Sequence, residues 1–339
     1  MCLTAVSLFI FSFDMKFLKI AAILLVVIAA LDFAIGKLLH HYYFTEKYGK
    51  DAEMTYVFTK VNSDVIITGS SRARRNYNPN IIGDSLNMSC YNAGHDGQSL
   101  FYDLALLKVL NQRYHPKLVV VDLLPEEIYY NPIHYDRLSV LLPYYHDFFE
   151  IRNTVNLRGL DKIDTSATWY KVLPLNKEKV KLLSNIYPYN STLYDIIMGH
   201  YKKEKYALSG FYPLQETLTP DKAKDILRQY KELYSKPSAK LIDPNKVNYL
   251  KALIEMCQRN NIKVVIALSP AIEYIDREEA YETIGTIAAE HNIPFMDYTL
   301  HKELLNLNYF ADNHMNFNGA NQFSSELGHE LKSYMDTTK

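Results

Sequence analysis

Three stretches of this 339-residue chain carry residue types suited to nucleophilic chemistry. In the first, the β-branched run Val65-Ile66-Ile67-Thr68 stops at Gly69-Ser70-Ser71-Arg72. A short apolar run of this kind reads as a buried strand, and glycine lets the chain turn sharply where it ends. A serine just past a strand's carboxyl end lies on the side where open α/β sheets bind ligands, so Ser71 is the candidate nucleophile. In the second stretch, Asn92-Ala93-Gly94-His95-Asp96-Gly97-Gln98-Ser99 follows a strand near Met88 to Tyr91. It precedes a helix with apolar positions at Leu100, Leu104, Leu107 and Leu110, capped by Ser99. Glycines at this spacing let backbone N–H groups point into a cleft, and Gly97 sits at a helix N-terminus, where developing negative charge is stabilised. In the third stretch, Asp312-Asn313-His314 lies in a loop before the last helix. Aspartate and histidine are the types for an orienting carboxylate and a general base. Taken singly, each stretch also reads as an ordinary turn.

These residues need a scaffold, and the hydrophobic pattern supplies one. Further strands are expected at Leu118 to Leu124, Lys263 to Leu268 and Pro294 to Tyr298, with helices over Val247 to Cys257 and Arg277 to His291. Strands alternating with helices imply an α/β fold with a five-stranded parallel sheet, right-handed crossovers and strand order 2-1-3-4-5. The Tyr-rich section at about 128–243 reads as a mostly helical insertion, with its clearest helix starting at Thr219-Pro220.

The N-terminus carries an apolar run, Phe17 to Ile35, interrupted by Asp32. As a helix it would span roughly 28 Å, close to the hydrocarbon thickness. Residues 1–36 are therefore expected to hold a transmembrane anchor, 37–60 a polar connector, and 61–339 the domain. Lys16 and Lys19 precede the run and favour a cytoplasmic N-terminus with the domain outside. A cleaved signal peptide is the alternative, but no small-x-small cleavage site follows the run. Asp32 near the outer end reads as an interfacial residue, with a functional intramembrane carboxylate as the second reading.

Composition narrows the partners. A net charge of −1 gives no basis for a nucleic-acid partner. The widely spaced Cys2, Cys90 and Cys257 form no metal motif or disulfide framework, and the last two read as buried free thiols. The 28 tyrosines suit a carbohydrate groove, though they serve equally as core residues.

Together, and in this order, the three stretches resemble the SGNH, or GDSL-like, hydrolase superfamily over about residues 60–130 and 245–335. Gly69-Ser70-Ser71 matches the first block, Asn92 and Gly97 the second, and Asp312 to Ala320 part of the fifth. The resemblance implies a three-layer flavodoxin-like SGNH fold. It implies catalysis by Ser71, His314 and Asp312, with an oxyanion hole from the N–H groups of Ser71 and Gly97, and no metal or organic cofactor. Arg72, Asn92, Gln98 and Glu126 become candidates for contacting substrate. A single anchor ahead of such a domain is similar to membrane-anchored members that work in teichoic-acid D-alanylation and in O-acetylation of exported polysaccharides. The implied activity is an extracytoplasmic serine esterase or O-acyltransferase on acyl, chiefly acetyl, esters of envelope glycans. A membrane protein is a candidate partner. Two other readings stand beside it: a catalytically weak SGNH-fold module that binds glycan or a membrane partner, and a lipid esterase or thioesterase.

Two positions depart from the family pattern. The third block's oxyanion asparagine falls near Glu126, and a carboxylate donates no hydrogen bond unless protonated. Losing one oxyanion donor typically costs about a hundred- to a thousand-fold in rate. The family's aspartate precedes its histidine by three residues, whereas Asp312 precedes His314 by two. The carboxylate or a backbone carbonyl can then orient the imidazole.

Overall fold

The computed structural model describes residues 15–158, 180–199, 207–273 and 279–337. The apolar residues 1–14, Trp169 and the start of the helix expected from Arg277 lie outside these. Five strands, β1 (Val65–Thr68), β2 (Cys90–Asn92), β3 (Leu118–Asp122), β4 (Lys263–Leu268) and β5 (Phe295–Asp297), form one sheet in the order β2-β1-β3-β4-β5. All neighbouring pairs are parallel. The strand order read from the sequence is therefore the observed one.

Because the sheet is parallel, both faces must be covered, and the strand side chains divide between two cores. Ile66, Val119, Val121, Val264 and Ile266 enter one core, shared with the helix α5 (Leu100–Asn111) and the helix Pro244–Arg259. Val65, Ile67, Val120, Val265 and Ala267 enter the other, shared with the helix α4 (Pro79–Leu86) and the C-terminal helix Phe317–Thr337. Each fully buried Val or Ile contributes roughly 1.5–3 kcal/mol relative to leaving it exposed. Ser71 thus stands just beyond the end of the rigid, buried β1, while Asp312 and His314 lie in the loop that leads into the C-terminal helix.

The expected connector at 37–60 is instead part of the domain. The N-terminal helix α1 runs unbroken from Met15 to Thr45, and the helix α2 (Gly49–Thr59) packs into the first core through Met54, Val57 and Phe58. Tyr43 is fully buried and its hydroxyl donates to that of Tyr144 at 3.2 Å. The stretch looks polar in sequence because charged residues such as Lys47, Lys50 and Asp51 are interleaved with its apolar ones, while a tyrosine such as Tyr43 buries its ring and keeps a polar tip. Helix α1 is long and apolar enough to cross a membrane.

The described residues between β3 and β4 contain helices and turns but no strand of the main sheet. They are not a detached excursion, since Leu138, Leu141, Tyr144 and Ile151 belong to the first core. Cys90 and Cys257 are free thiols, Cys257 fully buried and Cys90 only partly so.

Candidate active site

Strand β1 ends at Thr68, and the short helix α3 (Ser71–Asn76) starts three residues later. Gly69 makes the junction possible. Its φ is +144°, and a Cβ there would stand 2.7 Å from the Asp122 carbonyl oxygen at the end of β3. Asp103 accepts from the Thr68 hydroxyl at 2.5 Å and from the Gly69 backbone, pinning the strand end. Ser70 is the N-cap residue of α3, so Ser71 occupies its first turn, where the helix supplies no acceptor for the backbone N–H.

Ser71 Oγ lies 2.7 Å from His314 Nε2, and His314 Nδ1 lies 2.8 Å from Asp312 Oδ1. With Nδ1–H donated to the carboxylate, Nε2 is the acceptor for the serine proton. The two-residue spacing is accommodated by an Asx turn, because the same Asp312 Oδ1 accepts the His314 backbone N–H at 2.7 Å. The side chain of His314 is 13% exposed and that of Asp312 53% exposed. Desolvation holds the imidazole below its ordinary value, opposed by Asp312, and the hydrogen bonds from His314 hold the Asp312 carboxyl below its own.

The loop carrying His314 is closed by the Ala311 N–H to the His314 carbonyl at 3.0 Å and by the Asn316 N–H to the Tyr309 carbonyl at 2.8 Å. Asn316 Nδ2 donates to the carbonyls of Glu216, Asn308 and Phe310, so the insertion helps hold this loop.

The other sequence candidates divide. Gly97 has φ +72° and lines the cleft together with Ser71 and Gln98. Arg72, a candidate for substrate contact, is buried instead: its guanidinium pairs with Glu273 and donates to the Pro270 carbonyl at 3.1 Å. Asn92 is spent on the fold. Its Nδ2 donates to the carbonyls of Ala73 and Tyr77, and its Oδ1 accepts from the Gly94 N–H. It therefore positions α3. Glu126 lies in the turn Pro125–Ile128, close enough to Tyr234 to act on its hydroxyl, and is not among the cleft-lining residues. Ser99 holds the N-cap position of α5 without a side-chain cap bond. His95 is desolvated, with a pKa pushed down to about 4, and packs against the Tyr102 ring.

No protein-family model matches the chain, and no curated protein matches it.

The cleft has a volume of about 600 Å³, and most of the residues that line it are polar or charged. Sequence reasoning missed several of its lining residues: Arg75, Arg137, Ser191, Thr192 and Asp195. The Arg137 guanidinium donates to the Gly97 carbonyl at 3.1 Å. Arg137 and the 191–195 segment lie in the insertion, where no periodic pattern marks them. Among the described residues, no group of three or more His, Cys, Asp and Glu side chains is placed to hold a metal ion.

Proposed function

We propose that this protein is a membrane-anchored serine esterase or O-acyltransferase of the SGNH type. Its site faces the extracytoplasmic side and acts on acyl esters, chiefly acetyl, of cell-envelope glycans. The observation that carries the reading is the Ser71–His314–Asp312 relay, with contacts of 2.7 and 2.8 Å, at the carboxyl ends of a parallel sheet. Lys16 and Lys19 ahead of the apolar run support the sidedness. Charged and polar side chains such as Arg75, Asp96, Gln98, Arg137 and Thr192 around the cleft suit a hydroxylated substrate better than a long acyl chain, which favours glycan esters over lipid esters.

In the proposed reaction, His314 Nε2 takes the Ser71 proton as Oγ attacks the ester carbonyl. The N–H groups of Ser71 and Gly97 hold the tetrahedral oxyanion, and Asp312 stabilises the imidazolium. The imidazolium returns the proton to the departing alkoxide. Water or a sugar hydroxyl then attacks the acyl-enzyme, giving hydrolysis or transfer.

A fluorophosphonate probe on the detergent-solubilised protein tests this. Labelling is expected in the wild type, abolished by Ser71→Ala and retained by Ser70→Ala. Folded wild-type protein that takes no label supports the binding-module reading, for which Glu126 in place of the oxyanion asparagine is the motivating feature.

A further inference from the structure

Helix α1 is clasped from the side by a piece of the insertion. Asp32 accepts from the Asn185 N–H at 2.7 Å, from Asn185 Nδ2 at 2.9 Å, from the Ile186 N–H at 3.4 Å and from the Ser184 hydroxyl. One turn along the same face, Gly36 meets Asn185 so closely that a Cβ on the glycine would stand 2.3 Å from the Asn185 Cβ. Segment 184–186 is thereby held level with Asp32, which falls within the outer end of the apolar run Phe17 to Ile35. At that depth a carboxylate is costly unless its oxygens are filled, and irregular backbone is tolerated only where its N–H groups find partners. Asp32 and segment 184–186 meet both needs at once.

Around this clasp the chain turns apolar side chains outward. Leu183 is 81% exposed, Tyr194 64% and Ile197 56%, while Leu182 and Ile196 beside them are buried. Scattered exposed leucines need no explanation, but these lie on a segment bound to a membrane-level carboxylate. The helix Leu193–Gly199 and the turn Tyr187–Tyr189 both pack on α1, making the patch continuous with the apolar helix.

We propose that residues 180–197 form a foot that rests in the headgroup layer of the bilayer crossed by α1, with Leu183, Tyr194 and Ile197 facing lipid. Tyrosine and leucine are the types expected at that interface. Ser191, Thr192 and Asp195 of the same segment line the Ser71 cleft. The cleft therefore opens against the membrane surface, and the esters it meets are carried on molecules held there. This inference rests on reading α1 as a membrane span.

The test uses the full chain in vesicles, with Trp169→Phe as background and single tryptophans introduced by Leu183→Trp, Ile197→Trp, Leu208→Trp and Leu25→Trp. Leu208 is 81% exposed on the domain and Leu25 67% exposed on α1, so they report water and bilayer respectively. Leu183→Trp and Ile197→Trp should show blue-shifted emission, loss of intensity with lipids brominated near the headgroup, and little loss with iodide. Leu208→Trp should respond to iodide alone. Iodide quenching at positions 183 and 197, or shielding there from both quenchers, overturns the foot while quenching of Leu25→Trp by lipid brominated near the ends of its acyl chains keeps the span. Failure of Leu25→Trp to respond to lipid brominated near the ends of its acyl chains overturns the span and the foot with it.

Discussion

Asn76 Oδ1 accepts the N–H of Met315 at 3.0 Å, joining the last residue of the serine helix to the residue that follows His314. Its amide nitrogen donates to the Ser269 hydroxyl at 3.1 Å, bringing in the end of β4. One fully buried side chain thus ties the helix that carries Ser71 to the loop that carries His314. Asn76→Ala leaves the buried Met315 N–H unpaired, a cost of about 1–3 kcal/mol. The urea midpoint should fall accordingly. Turnover of an aryl acetate should drop more than KM changes, because the serine and imidazole lose their fixed separation. Wild-type stability and turnover in this variant would show that the tie is dispensable.

Asp312 and His314 should separate in their effects. His314→Ala removes the acceptor for the serine proton and should abolish nearly all aryl-acetate hydrolysis. Asp312→Asn keeps an oxygen for the Asx turn and for Nδ1–H but loses the charge, so a measurable fraction should remain. The base works only when neutral, and desolvation lowers its pKa, so the acid limb of kcat/KM should lie below pH 6.5. The Asp312 carboxylate raises that pKa, so its neutralisation should move the limb to lower pH still. A limb above pH 6.5, or an upward shift in Asp312→Asn, contradicts the assigned base.

The sheet was legible because β1, β3 and β4 are short β-branched runs and the helices between the strands force parallel pairing. The relay residues were legible by type and by their place after a strand or before a helix. The role of Asn76 was not, because it depends on a partner 239 residues away that no local pattern signals. Arg72 and Asn92 look like ligand residues in sequence. The fold uses one for a buried ion pair with Glu273 and the other to satisfy the backbone of α3. Position 126 attracts attention by alignment, yet its neighbour Glu127 has the carboxyl that lies beside Ser70 and Asp122.

That Glu127 carboxyl accepts the Leu124 N–H at 2.9 Å, and desolvation with the Asp122 charge pushes its pKa up to about 8. In the unfolded chain it titrates near its ordinary 4.5. Between those values the folded protein holds a proton that the unfolded chain has released. This group's contribution to stability is therefore full below pH 4.5 and is lost as pH rises towards 8. Glu127→Gln has no proton to release and should remove that slope, at most about 1.4 kcal/mol per pH unit. Urea midpoints of both proteins from pH 5 to 8 measure it, with the other titrating groups common to the two. Parallel profiles would mean that Glu127 is already ionised in the fold.

Gly97 offers a test of the oxyanion site that leaves the relay itself untouched. Its φ of +72° disfavours any L side chain, and a Cβ there would stand 2.3 Å from an Arg137 guanidinium nitrogen. The second conflict is easily relieved, because the exposed guanidinium is the far end of a flexible chain and can swing into the cleft. The first is not, since left-handed backbone costs a non-glycine residue roughly 1–2 kcal/mol, and relaxing it turns the Gly97 N–H away from the site. Removing an oxyanion donor outright costs about a hundred- to a thousand-fold, so a displaced donor in Gly97→Ala should cost about ten- to a hundredfold in kcat on an aryl acetate. Circular dichroism should remain that of the wild type. Adding Arg137→Ala separates the two conflicts. If backbone strain and donor displacement cause the loss, the double variant stays as impaired as Gly97→Ala. Recovery of turnover in the double variant would instead mean that crowding by Arg137 caused the loss, and the Gly97 N–H would lose its assigned place in the oxyanion hole.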